Sequence, residues 1–402
     1  MIKRMLIHFY LAFILLIAFS CQNESEIIEV PITNIELSLS SDYIEVGLTD
    51  TIKLVIHPQD ATNKDYIWSS SEPSIAEVGP DGVVKGISPG KAIIKITTED
   101  NGFTASYTVQ IIKWTYHYSQ NNAHVRPIAV DSEDNVWSGG DKLTRISNNM
   151  QEVYTNISNI TAIAVNNENR WFGTHNSGIW KFDGANWTNY AKNTNNQAFG
   201  SVNYNSMMID DKDNLWFGTA SGTRGTGVTM FDGSQWYTFN SDNGLVYNNV
   251  LDMAIDKKGV KWFATSRGLS SFDDSQWISY TSESTGIEIL DYVFSVAIDK
   301  ENNKWFGSYQ GALKFDGTNW TLYDRSNSDM KWTSINAITV DKDNNIWFAT
   351  EAGVTKSDGT SWINYTCATE KDYKLHNVRA IDIDSKGNIW LGTTYTFIKL
   401  EE

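Results

Sequence analysis

Cysteine is almost missing from this chain: among 402 residues only Cys21 and Cys367 carry a thiol. Two thiols exclude a disulfide-stapled scaffold, so the fold must be held by core packing. Cys367 has no histidine or base pattern beside it and reads as an inert thiol. Positive charge is also scarce, with 32 Lys and Arg against 48 Asp and Glu and a formal charge of −16. No basic cluster interrupts this excess, which repels nucleic-acid phosphates and anionic lipid headgroups. Histidines number six, and His117, His124, His175 and His376 show no metal-ligand spacing. No Gly-x-Ser-x-Gly elbow, phosphate-cradling loop or dinucleotide fingerprint occurs in a fitting context. After Phe19 there is no long apolar run, so nothing beyond that point is expected to cross a bilayer as a helix. Met5 to Phe19, about 15 residues, is too short to span about 30 Å of hydrocarbon.

What is present begins with a processing signal. Lys3 and Arg4 precede the apolar run, and Ala18-Phe19-Ser20-Cys21 follows its core. This string resembles the lipobox of bacterial lipoproteins, departing from it at Ala18, where Leu is commoner. The resemblance implies removal of residues 1–20, lipidation (palmitate) of Cys21 and anchorage at the outer membrane or cell surface. Losing that segment removes two basic and no acidic side chains, taking −16 to −18. Residues 21–30 then form an acidic tether, in which Gln22-Asn23-Glu24-Ser25-Glu26 resembles the stretch after the Cys in surface-exported lipoproteins.

Residues 31–112 alternate short β-type runs with turns. Ile35 to Leu39, Thr51 to Ile56, Ala92 to Ile96 and Ala105 to Val109 have period two, and Asp81-Gly82 and Pro89-Gly90 punctuate them. About 80 residues of this rhythm predict a β-sandwich. His57-Pro58-Gln59-Asp60-Ala61-Thr62-Asn63, Ile67-Trp68-Ser69-Ser70-Ser71, Ser74-Ile75-Ala76-Glu77-Val78 and Gly82-Val83-Val84-Lys85-Gly86-Ile87 resemble the bacterial Ig-like group 2 family. That implies a spacer or adhesion module without catalysis, with Trp68 as its core anchor.

Residues 113–402 repeat one phrase: an apolar run ending in Asp, a polar turn, then a Trp strand. The tryptophans are Trp137, Trp171, Trp216, Trp262, Trp305, Trp347 and Trp390. Their last five gaps are 45, 46, 43, 42 and 43 residues, the length of a four-stranded propeller blade, and the first, 34, marks a shortened copy. In the sixth copy, strand a is Ile335 to Val340, b Asn345 to Thr350, c Gly353 to Lys356 and d Ser361 to Tyr365. The last copy, Val378 to Leu400, has no strand d, whereas Lys113 to Tyr118 is a strand d without a blade. The expectation is therefore all-β: an Ig-like sandwich, then a seven-bladed β-propeller closed by its own N-terminal strand. His117 stands where other copies have an aromatic, which loosens the register there. Phrases such as Asn214-Leu215-Trp216-Phe217-Gly218-Thr219 resemble two-component-regulator propeller repeats, found in periplasmic sensor regions of hybrid histidine kinases. The resemblance fixes a fold and leaves function open.

Asp341, Asp343 and Asn345 have the spacing of a calcium loop. An EF-hand-type loop would need Gly and Glu where Ile346 and Ala352 stand, so these side chains are read as bonding their own backbone in the a–b hairpin. No cofactor or metal is expected. Of the 16 tryptophans, seven lie on strands b, six on strands d and one in the Ig-like module; only Trp180 and Trp332 fall outside.

Strand direction gathers the b–c and d–a loops on one face, here the upper one. Ligand-binding candidates there are Trp332, Tyr309, Tyr395, Tyr373, His376, His175 and Arg267, with Arg126 and Arg379 opening inner strands at the mouth. Aromatics with a few Arg suit carbohydrate, whose apolar faces stack while its hydroxyls hydrogen-bond. The reading is a single-copy or complex-bound surface lipoprotein presenting its propeller to an extracellular glycan, touching the membrane only through lipid and not binding nucleic acid. A propeller-fold polysaccharide lyase or hydrolase is the enzymatic alternative, with His175 and His376 converging; an adhesion or assembly protein with a surface-protein partner is the third. Connectivity places the Ig-like module and the lipid on the lower face.

Overall fold

The computed structural model describes residues 29–99, 102–118, 127–148, 150–190, 201–221, 224–366, 375, 377–394 and 396–402. The processing signal, most of the tether, Cys21 and Cys367 lie outside these.

In the Ig-like module Asn34–Ser38 pairs antiparallel with Lys53–His57, placing Ile35 opposite Ile56 and Leu37 opposite Leu54. Thr49–Thr51, Val83–Gly86 and Ala76–Val78 form a second small sheet, and Tyr66–Ser70 pairs with Gly90–Thr98. The period-two residues meet in one core: Ile35, Ile52, Trp68, Val84, Ile94, Ile96 and Val109. Trp68 anchors it as expected. Gly82 turns above that ring at φ +77°, where an added Cβ would stand 3.2 Å from the indole, so the site excludes a side chain on two counts.

A single strand, Thr104–Tyr118, serves both modules. Thr104 to Ile111 pair with Thr97 back to Gly90, and Lys113 to Tyr118 pair with Glu401 back to Thr396. Trp114 lies opposite Leu400 and His117 opposite Phe397. His117 takes the place of the missing aromatic: its ring stacks on Phe397 at 6.0 Å and tilts against Trp390 at 5.4 Å. Burial, and secondarily Lys399, lower its pKa, which favours the neutral ring that stacking wants.

Seven four-stranded sheets follow, the seventh taking its outer strand from Lys113 to Tyr118. Sheets adjacent in sequence pack together, and the inner strand of the seventh, Ala380–Ile383, lies against that of the first, Ile128–Val130. The same bonds join this pair as join others. Val130 N donates to Asp382 Oδ2 at 2.7 Å, as Val296 N does to Asp252 Oδ2 at 2.9 Å. Ser385 N donates to Asp134 Oδ1 at 2.8 Å, as Lys257 N and Lys300 N do to Asn302 and Asn344. Those acceptors sit at φ between 60° and 68°, a left-handed turn position that Asp and Asn tolerate. The 34-residue first gap reflects shortened connections, since that blade keeps four strands and its outer strand, Met150–Ser158, lacks only the Trp.

A recurrent Asp anchors the hairpin in six blades, and Asn166 makes the same turn in the second. Asp341 Oδ1 accepts the backbone N–H groups of Asp343 and Asn345, while Oδ2 accepts Asn345 Nδ2 and the Trp347 indole at 3.0 Å. Asp131, Asp210, Asp256, Asp299 and Asp384 likewise reach Trp137, Trp216, Trp262, Trp305 and Trp390 at 2.8 to 3.4 Å. The calcium-like spacing is thus a turn whose carboxylate also fixes the next strand's indole. In five blades the residue opposite the Trp on strand c is a cation lying over its ring, as Lys356 over Trp347 at 4.8 Å. In the third and fourth blades that position is Met230 or Ser271. There Lys261 and Lys304, from the following blade, cover Trp216 and Trp262 at 5.8 and 5.4 Å.

The Ig-like module enters the ring at the lower end of the shared strand and also packs along the outer flank of the sixth and seventh blades. Tyr43 stacks on Tyr365 at 5.3 Å, and its hydroxyl donates to Thr366 O at 2.8 Å and accepts from Thr366 N at 3.1 Å. Thr366 follows strand d at its upper end. Lower down, Gly90, Lys91 and Gln110 share a cavity with the hairpin residues Asp341, Asp343 and Gly387. A linker-only junction would have been legible in the sequence; side-by-side packing through Tyr43 was not.

Candidate functional site

The upper mouth is built from the first residues of the inner strands. In four of them the opening Ile or Val is followed by one residue that the pairing skips, namely Thr161, Leu251, Phe294 and Asn336. Amide side chains tie neighbours together there. Asn336 Nδ2 donates to Val378 O and Asn203 Nδ2 to Val250 O, both at 2.8 Å, while Arg379 Nη1 donates to Asn336 Oδ1 at 3.3 Å.

Five of the expected site residues lie within the described chain. Trp332 precedes the sixth inner strand, half-buried, with its ring 3.1 Å from where a Cβ on Gly353 would stand. Tyr309 is exposed in the fifth b–c turn, at 51 %. Arg267 covers the face of Tyr247 at 5.0 Å. Arg379 joins Asn336, and His175 lines a cavity of about 170 Å³ with Gly140, Asp141, Asn159, Ile160, Thr161 and Tyr204. Arg126, Tyr373, His376 and Tyr395 fall outside the described residues, as does the proposed meeting of His175 and His376. Tyr204 and Tyr292, 48 % and 41 % exposed, join Tyr309 as partly exposed aromatics on this face. Strand direction already gathers Tyr204 and Tyr292 on this face, but neither is among the ligand-binding candidates; two extra residues in the strand of Tyr204, visible on aligning Val202-Asn203-Tyr204-Asn205-Ser206 with Val250-Leu251-Asp252, single it out.

Further down, two carboxyls bridge neighbouring inner strands. Asp252 accepts from Met253 N at 2.8 Å and Val296 N at 2.9 Å, and burial pushes its pKa up to about 7. Asp382 accepts from Ile383 N and Val130 N, and burial raises it to about 6. Unfolded, both would ionise near 3.9. Between those limits the folded state holds the additional protons, so stability should fall as pH rises from about 4 to about 7. The hairpin carboxyls act oppositely. Burial works against the charge of Asp131 and Asp341, but their hydrogen bonds outweigh it and hold both low, so their contribution vanishes only in stronger acid. Chemical denaturation across pH should therefore peak between about pH 4 and 5, and Asp252→Asn should flatten the decline toward pH 7. A profile rising steadily to pH 7 would contradict this assignment. Among the described residues no three His, Cys, Asp or Glu side chains gather as a metal site requires.

The architecture defines an all-β protein: an Ig-like sandwich joined to a propeller of four-stranded sheets. Residues 31–109 match the bacterial Ig-like domain (group 2) family, and residues 329–352, in the sixth blade, match the two component regulator propeller family. The chain thus carries a group 2 Ig-like domain followed by a propeller with repeats of the two-component-regulator kind. An uncharacterised protein of Clostridium acetobutylicum is 37% identical over 79 residues, 20% of each chain. The kappa-carrageenase of Pseudoalteromonas carrageenovora is 32% identical over 82 residues, 20% of this chain and 21% of that one. The extracellular domain of a candidate hybrid two-component system from B. thetaiotaomicron superposes with a TM-score of 0.59 at 17% identity, covering 92% of this chain and 51% of that one. The chain spans only about a fifth of those two sequence relatives and about half of this structure. Among the described residues no helix is long and apolar enough to cross a membrane.

Proposed function

We propose that this chain is a cell-surface lipoprotein, anchored through Cys21, that takes an extracellular glycan at the upper mouth of its propeller. The observation that carries the reading is the concentration of partly exposed aromatics there, Tyr204, Tyr292 and Tyr309 at 41 to 51 % exposure, beside Trp332 and a rim of amides and arginines. Aromatic faces exposed beside fixed polar groups are costly in water and suited to sugar rings. The similarity to an extracellular domain and to a carrageenan-degrading enzyme supports the reading, although each match covers only part of its relative. In the mature chain, residues 1–20 are absent and residues 21–30 tether the Ig-like module.

A glycan panel probed with the chain from residue 22 onward tests this. Retention without product is expected. Trp332→Ala should weaken retention about tenfold, the equivalent of one stacking contact of about 1.4 kcal/mol, while the protein still melts cooperatively. Unsaturated or shortened oligosaccharide would mark an enzyme, and silence across the panel would point to a protein partner. Incorporation of labelled palmitate into wild-type but not Cys21→Ala cells tests the anchor.

A further inference from the structure

The third inner strand, Ser201–Ile209, differs from the others in a way that the repeat does not require. Val202 pairs with Thr219 and Met207 with Phe217, whereas in the fourth blade Val250 pairs with Thr265 and Met253 with Phe263. Three residues, Asn203-Tyr204-Asn205, therefore occupy the place that Leu251 fills alone. Asn205 adopts φ +56°, a left-handed conformation that costs a non-glycine residue roughly 1 kcal/mol and that Asn tolerates best. Its carboxamide crosses the mouth and donates to Arg379 O at 3.0 Å, linking the third blade to the seventh. Asn203, on the other side, is held by Val250 O. A strained insertion tied down at both ends holds one large side chain, and that side chain is 48 % exposed. Two anchored carboxamides thus flank a half-exposed aromatic at the mouth, where four of the other inner strands carry a single residue.

Tyr204 forms one wall of the 170 Å³ cavity whose other walls are Asp141, Asn159, Thr161 and His175 from the first two blades. The Thr161 hydroxyl donates to Gly173 O at 3.3 Å and so presents its oxygen as an acceptor, and the His175 backbone is fixed by Asn159 O at 2.9 Å. The cavity thus offers one aromatic face, one carboxylate, one carboxamide, one hydroxyl and one imidazole. That set matches a ring with an apolar face and several hydroxyls, each of which donates and accepts. Roughly 300 to 1,000 Å³ is usual for enclosing a drug-sized ligand, so this cavity takes one ring and leaves the rest of an oligomer outside. Asp141 disfavours an acidic sugar.

We infer that this cavity is the subsite for a single neutral sugar ring, with Tyr204 as its stacking platform and Asn205 as the residue that positions it. The inference rests on the mouth being the glycan site and adds which part of it reads a ring. The test uses the chain from residue 22 onward in two assays. In the first, neutral and uronic monosaccharides are titrated while the ring resonances of His175 are followed by NMR, with His175→Gln to assign them. A neutral sugar should shift them at millimolar concentration and a uronate should not. In the second, panel retention is compared among variants. Tyr204→Ala should lose tenfold or more, Tyr204→Phe should stay within about twofold, and Asn205→Asp, which cannot donate to Arg379 O, should lose severalfold with an unchanged melting temperature. If Tyr204→Ala binds like wild type while Trp332→Ala loses retention, the subsite is wrong and the mouth stands. If His175 responds to a neutral monosaccharide but no glycan is retained, the subsite stands and the wider reading falls. Response to uronates alone, or no response in either assay, overturns the subsite.

Discussion

A chain begun at residue 119 should fail to form a stable monomeric ring, whereas one begun at residue 112 should succeed. The two differ by Ile112 and the strand Lys113 to Tyr118, which pairs along its length with Thr396 to Glu401. Without it Ile398 and Leu400, both fully buried, lie on an open sheet edge, and Ile112 and Trp114 leave the cluster that includes Tyr365, Val378 and Leu391. Six paired residues at about 1 kcal/mol per hydrogen bond, with the lost burial, take most of a domain's roughly 5 to 15 kcal/mol. The exposed edge should also recruit other copies. Size-exclusion chromatography and thermal unfolding read both effects. Equal behaviour of the two chains would mean that the seventh blade does not need its fourth strand.

Asp131→Ala should be far more damaging than the equivalent change at Asp210. Asp131 is fully buried and accepts from Asn135 N, from the Trp137 indole at 2.9 Å and from Arg170, whose Nη2 is 3.0 Å away with a side chain only 6 % exposed. Removal leaves a guanidinium in the protein interior with Glu133, at 3.5 Å and mostly in solvent, as its remaining anion. Breaking a buried pair this way costs about 3 to 5 kcal/mol. Asp210 makes the same turn and indole bonds without a buried arginine, so Asp210→Ala should cost about 1 to 2 kcal/mol. Melting curves of the two variants side by side decide the matter, since equal losses would assign the whole effect to the turn.

The blades were readable because period-two runs, Asp-to-Trp spacing and closing Trp-x-x-aromatic strands all carry the same message. Ile335–Val340 was expected residue for residue, and the displaced strand at Lys113 could be matched to the blade that lacked one. The cross-strand cation over each Trp was hidden, because in two blades it arrives from a neighbour as Lys261 or Lys304. The candidate site was legible as a face and not as a set. Loop residues such as Tyr309 and Arg267 follow from strand direction alone, but which of them meet depends on side-chain reach. The Asn203 to Asn205 insertion lies inside a strand where apolar pattern gives no warning, and Asp252 reads as an ordinary strand residue until Val296 N is found against it.

The shared strand bears on how the ring can come apart. In a propeller closed by a chain end, the closing segment peels from its loose tip. Here that segment continues upstream into a second packed core, so its entry point cannot fray, and its partner's far end is pinned by Glu402 on Lys356 Nζ at 2.6 Å. Releasing the closing segment from the ring would therefore have to disturb the Ig-like core as well, so the two modules should open together instead of rung by rung.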